Sequence, residues 1–113
     1  MNSLAICILW DTIIVVAQIK ATAEFTRWLD RLKDLPGRAR IQARIQRLAE
    51  GNPGQHRNLK SGLSELKIDI GPGYRVYYTL RQDVLVILLC GGDKSSQAKD
   101  MKLAYELLQG LEV

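Results

Sequence analysis

The chain is poor in the residues that metal and redox sites need. Its 113 residues include one histidine, His56, and two cysteines, Cys7 and Cys90. The cysteines stand far apart and match no metal-ligand or dithiol spacing, so neither a metal nor a cofactor is expected. Cys90 falls in an apolar run and reads as a small buried hydrophobe. Neither GxGxxG nor GxxxxGK[ST] occurs, which leaves nucleotide binding by those loops unsupported. The apolar stretches at 4–10 and 13–17 are split by Asp11 and are short for a membrane span. No basic residue precedes Lys20, against a signal peptide. A cytoplasmic protein without a membrane partner is expected.

The rest of the composition is that of an ordinary globular domain, 47% hydrophobic and 25% charged. The length suits one domain, taken as 13–113, with no repeat or linker. Residues 1–12 form an N-terminal extension: an extra strand, an oligomer contact or a loosely held segment. A net charge of +4 suits an acidic partner without identifying one.

Residues 63–97 organise the chain. Leu66, Ile68 and Ile70 alternate with Glu65, Lys67 and Asp69, the period of a half-buried strand. Gly71-Pro72-Gly73 makes a turn, and Tyr74, Val76, Tyr78 and Leu80 then alternate with Arg75, Tyr77, Thr79 and Arg81. A three-residue loop would pair Ile70 with Tyr74, Asp69 with Arg75 and Lys67 with Tyr77. One face is then apolar, and the other groups a carboxylate, two cations and a phenol. The run 84–90 has no polar residue, as in a strand buried on both faces. It exits through Gly91-Gly92-Asp93-Lys94, where the glycines permit positive φ or close approach.

Before this core, the pattern predicts a first strand over 13–19 and two helices. Thr22 is a candidate N-cap, and Phe25, Trp28, Leu29 and Leu32 form one stripe. Leu35-Pro36-Gly37 starts a second helix with Ile41, Ile45, Leu48 and Ala49 inward, closed by Gly51. Arg40, Arg44 and Arg47 share a face of it. They form either a solvated face or, with His56, Arg57 and Lys60, a ridge above the cationic sheet face that contacts phosphate or an acidic partner. After 94, Ser95 or Ser96 can cap a last helix with Ala98, Met101, Tyr105 and Leu108 inward. The order β-α-α-β-β-β-α predicts an α+β domain with a largely antiparallel sheet.

Glu24-Phe25, Trp28-Leu29, Leu63-Ser64-Glu65-Leu66, the block Gly71-Pro72-Gly73-Tyr74-Arg75-Val76-Tyr77-Tyr78 and the block from Leu88 to Gln97 together resemble the RelE/ParE superfamily of type II toxins. The likeness, to the HigB-like branch of addiction-module killer proteins above all, spans about residues 18–109. Family members commonly begin near Ile19; a start codon set too far upstream would explain the extra residues, and native N-terminal sequencing tests that. The resemblance implies a RelE-like fold and a toxin held by a cognate antitoxin, usually a helix-turn-helix protein that carries the contact with operator DNA. RelE-like and HigB-like members cut mRNA on the ribosome without a metal, whereas ParE-like members inhibit gyrase; an inactive homologue that only binds its antitoxin is a third reading. Fold does not choose among them.

If the chain cleaves RNA, Arg75 is the first choice to grip the scissile phosphate, with Lys67 and Lys94 adding charge. Tyr77 would orient the 2′-hydroxyl or stack on a base, and Glu65 or Asp69 would act as base. The other reading pairs Asp69 with Arg75 as a surface contact and has Lys94 fix its loop or touch the antitoxin. Arg40, Arg44, Arg47, Arg57 and Lys60 are the RNA- or ribosome-binding set. RelE uses a tyrosine near its last helix; here Lys99 and other polar residues occupy that region, and Tyr105 lies on the apolar stripe.

Overall fold

A computed structural model describes residues 4–9 and 12–111. The elements in order are β1 (Leu4–Leu9), β2 (Thr12–Ala21), α1 (Ala23–Arg31), α2 (Leu35–Ala49), β3 (His56–Asn58), β4 (Leu63–Ile68), β5 (Tyr74–Arg81), β6 (Leu85–Asp93) and α3 (Gln97–Gln109). They build one sheet in the order β1-β2-β6-β5-β4-β3. Only β2 and β6 run parallel; the other neighbours are antiparallel. This is the α+β arrangement the sequence implies, with one added strand at each edge. Of the readings open for the N-terminus, residues 4–9 form an extra strand; residues 1–3, 10 and 11 lie outside the described residues. β3 escapes sequence analysis because His56, Arg57 and Asn58 are all exposed and carry no apolar alternation.

Local chemistry sets the helix ends. The Thr22 hydroxyl accepts from the Phe25 N–H at 3.1 Å and so caps α1. Asp34, not anticipated as a cap, accepts from the Gly37 N–H at 3.0 Å at the start of α2. Its other oxygen accepts from the Tyr74 hydroxyl at 2.7 Å, tying the α1–α2 loop to β5. That bond holds the Asp34 carboxyl below its ordinary range, while burial and the carboxylate push the Tyr74 phenol up to about 12.

The hairpin register differs from the expected one by two residues. Ile68 faces Tyr74, Lys67 faces Arg75 and Glu65 faces Tyr77. The turn spans five residues, 69–73, because Gly71 and Gly73 both take positive φ and the Gly73 N–H closes on the Ile70 carbonyl at 2.9 Å. A shift of two leaves every side chain on its expected face. The Asp69–Arg75 contact exists at 3.3 Å, but it reaches in from the turn rather than across the ladder.

The two sheet faces are covered differently. On one side α1 and α2 pack Phe25, Ile41, Ile45 and Leu48 onto Leu66, Ile68, Val76, Val86 and Leu88. On the other, α3 lies over Leu63, Tyr77, Leu89 and Cys90. In α3 the fully buried residue is Ala104; Ala98, expected inward, is exposed. A bulge at Leu89 changes the parity of β6, since Leu88 pairs with Tyr78 but Cys90 with Tyr77. It turns Cys90 toward α3 and sets Gly91 under Trp28 and Gly92 under Asp100. Neither glycine has positive φ. They are there because a Cβ would run into those side chains.

Candidate active site

The face beneath α3 carries two rows of side chains running across the strands. In the inner row Cys90 of β6, Tyr77 of β5, Glu65 of β4 and Arg57 of β3 are successive cross-strand partners. In the outer row, two residues nearer the β4–β5 turn, Gly92, Arg75 and Lys67 follow one another. Alternation puts all of them on one face, and strand pairing sets the order.

The outer row is cationic and open at its rim. Lys94, exposed at the start of the 3-10 turn Lys94–Ser96, approaches Arg75 over the turn. A side chain at Gly73 would lie 3.4 Å from Lys94 Cβ and 3.6 Å from Arg75 Nη1. Lys67 is half-buried opposite Arg75. Arg75 itself is 4% exposed. Its Nη1 donates to the Tyr74 carbonyl at 3.0 Å and to Asp69 at 3.3 Å, and its buried Nε finds no partner in the protein.

The inner row is closed. Glu65 and Tyr77 are both 0% exposed. Gln97, the first residue of α3, donates to Glu65 Oε2 at 2.8 Å. Arg57 lies 3.1 Å from Glu65 Oε1, an ion pair without an aligned hydrogen bond. The Tyr77 hydroxyl likewise finds no aligned partner. Burial first, then the Glu65 carboxylate beside it, push this phenol far above its ordinary range, so it keeps its proton at any physiological pH. The Cys90 thiol is pushed up to about 12, chiefly by burial, and donates to the Asp100 carbonyl at 3.4 Å. Base stacking on Tyr77, as the sequence suggested, finds the ring covered by α3.

Lys67, Arg75, Tyr77, Lys94 and Glu65 thus come together. Arg57 of the expected ridge joins them through its ion pair with Glu65, and the arginines of α2 do not. α2 packs on the opposite face of the sheet, so the expectation of arginines above the cationic face is corrected: the sheet lies between. Arg44 is also not free. It donates to the carbonyls of Lys67, Pro53 and Gln55, each at 2.8 Å, and pins the loop after α2 to β4. Desolvation lowers its pKa. Arg40 and Arg47 are exposed. Arg57 and Lys60, also exposed, lie at the β3 edge. Two residues of the site were not singled out from sequence, Gln97 and Asp100. Their signal was only a position at the start of the last helix, where polar residues are routine caps.

Among the described residues no group of His, Cys, Asp and Glu side chains is placed to hold a metal ion, and no helix is long and apolar enough to cross a membrane.

The comparisons with known proteins agree with this architecture. An uncharacterized protein of Haemophilus influenzae is 54% identical over 94 residues, 83% of this chain and 95% of the relative. A solved structure of the E. coli toxin RelE, a mutant in the free state, superposes with a TM-score of 0.61 at 14% identity, covering 86% of this chain and 99% of that one. The fold is therefore RelE-like. The profile of the family described as phage derived protein Gp49-like (DUF891) matches residues 27–109, which include both rows and α3. The chain belongs to the phage-derived Gp49-like family.

Proposed function

We propose that this chain is the toxin of a type II toxin–antitoxin pair, of the HigB-like kind, and that it arrests translation by cutting mRNA on the ribosome without a metal. The observation that carries this reading is the convergence of Lys67, Arg75 and Lys94 at one rim of the sheet, next to a buried carboxylate and a phenol that retains its proton. Three cations suit a phosphate whose charge grows as it becomes five-coordinate. Glu65 takes the proton of the 2′-hydroxyl. The 2′-oxygen bonds to phosphorus, and the 5′-oxygen leaves with the Tyr77 proton. The neighbouring Glu65 returns a proton to Tyr77 across the ladder, which leaves a 2′,3′-cyclic phosphate and a 5′-hydroxyl. Arg57 and Lys60 extend the cationic surface on the RNA side, and Arg40 and Arg47 face outward on the other side for ribosomal contacts.

The partners of this reading are the ribosome with its message and an antitoxin, a helix-turn-helix protein through which operator DNA is reached, all in the cytoplasm. Pulse-labelling after induction in the absence of antitoxin tests it. Protein synthesis should stop within minutes while DNA synthesis continues. Arrest of DNA synthesis first would mean gyrase inhibition, and no arrest would mean an inert homologue.

A further inference from the structure

The sheet ends at one side on β3, and among the described residues nothing pairs with its outer edge. The hydrogen bonds of this strand alternate. The Gln55 carbonyl accepts from the Lys67 N–H at 3.0 Å, and the Leu59 N–H donates to the Leu63 carbonyl at 2.8 Å. Arg57, midway between them and opposite Glu65, therefore also turns its N–H and C=O toward β4. His56 and Asn58 turn theirs outward, where a further strand would take them. The two faces beside this edge differ. On the α2 side His56 and Asn58 line an open cavity of about 360 Å³ with Leu48, Tyr78, Leu80 and Asp83. Leu80 is a large apolar residue left 43% exposed. On the α3 side stands Arg57, whose side chain is 50% exposed despite its ion pair with Glu65, with exposed Lys60 just beyond the strand.

We infer that this edge takes an extended segment of the antitoxin as a further antiparallel strand, with apolar side chains opposite His56 and Asn58 and a carboxylate opposite Arg57. Residues facing one another across a ladder share a face. The two apolar side chains then enter the cavity, and the acid between them meets Arg57, with Lys60 close by. Main-chain bonds hold the segment, and the alternating pockets select it. Asp83 on the cavity side disfavours a register shifted by one residue, which would bring acids there. A second copy of this chain does not fit: antiparallel pairing of β3 with itself about Arg57 would set like charges against each other. The inference rests on the toxin reading and adds where the antitoxin is held and what that does. An acid drawn to Arg57 takes up charge that the message needs and competes with Glu65 for its partner.

The probe is a short peptide alternating valine with glutamate, blocked at both ends and titrated into the full chain. By NMR the amides of residues 56–58 and of Leu80 should shift. The same peptide with lysine in place of glutamate, or with N-methylated valines, should bind about tenfold more weakly, for want of charge or of main-chain donors. Two variants attack the edge from different sides. Asn58→Pro deletes an outward N–H and no bond to β4, and an outward N–H is where an edge strand tolerates proline. Leu80→Ser removes an apolar wall of the cavity. Each should weaken the peptide about tenfold while its thermal midpoint stays near the parent's. The N-methylated peptide makes the same demand of the unaltered protein, so the test stands even where Asn58→Pro fails to fold.

No binding, equal binding of the three peptides, shifts confined to other parts of the chain, or parental affinity in both variants would overturn the inference. So would a dimer that Asn58→Pro dissolves, since the edge would then belong to a second copy. These readouts need no ribosome. If the peptide docks at 56–58 and induction of the chain arrests nothing, the toxin reading fails and the edge site stands. If synthesis stops and the peptide finds no edge, the reverse holds.

Discussion

Glu65 and Leu66 are neighbours in β4, both 0% exposed, and they face opposite ways. Leu66 enters the apolar cluster under α1 and α2, where the Tyr74 hydroxyl is bonded to Asp34. Glu65 enters a row of buried polar groups, its carboxylate held by Arg57 and Gln97 beside a covered phenol. Equal burial does not mean equal purpose. One face holds the fold together by removing apolar surface from water; the other keeps polar groups dry at a cost that packing alone does not explain.

The difference can be broken most severely at this pair. Leu66→Ala should lower unfolding free energy by about 2–5 kcal/mol, through lost burial and the cavity left behind. Glu65→Leu should leave stability within about 1 kcal/mol or raise it, since an apolar residue of similar size replaces a buried charge and Arg57 remains in water. Denaturant unfolding of both variants checks this. A larger loss from Glu65→Leu than from Leu66→Ala would mean that the α3 face is structural after all.

A smaller effect separates the arginines of α2, which the sequence makes look alike. Arg44→Ala should cost about 2 kcal/mol, because three carbonyls lose a charged donor. Arg40→Ala and Arg47→Ala should stay within about 0.5 kcal/mol in the same unfolding measurement, as exposed substitutions do. Equal losses at all three would contradict the clamp.

Much of this was legible in the chain because it depends on local periodicity. The alternation around the 71–73 turn assigned Arg75, Tyr77, Lys67 and Glu65 to one face, and a register slip of two could not undo that. Thr22 and Pro36 marked helix starts by local hydrogen-bond and φ preferences. What periodicity does not encode is which face a helix covers. Nothing in Arg40, Arg44 and Arg47 says that α2 lies on the far side of the sheet, or that Arg44 turns back to the Pro53 carbonyl. The strand at 56–58 was hidden for the opposite reason: with all three residues exposed, its pairing leaves no hydrophobic trace. Gln97 reads as an ordinary helix start until the fold brings Glu65 within 2.8 Å.

The smallest expected effect is at the Tyr74–Asp34 link, which sharpens the contrast by showing a satisfied phenol on the apolar side. Tyr74→Phe should reduce the thermal midpoint slightly at neutral pH. The folded pKa of Tyr74 lies at about 12, above the ordinary 10.0. Its contribution is therefore complete below pH 10 and is lost as pH rises through that window. Parent and variant midpoints should converge there. On the acid side, the lowered Asp34 and Asp93 groups contribute above their ordinary 3.8 and lose that contribution as pH falls below it.

The central claim is that the outer row grips a scissile phosphate. Its most direct measurement is cleavage of message on programmed ribosomes by purified Arg75→Ala beside the parent, each freed of antitoxin, with thermal midpoints recorded on the same samples. Loss of one such charge contact should slow cleavage by about 10²–10³-fold while the fold persists. Parental cleavage by a folded Arg75→Ala protein, or intact transcripts with the parent itself, would contradict the account.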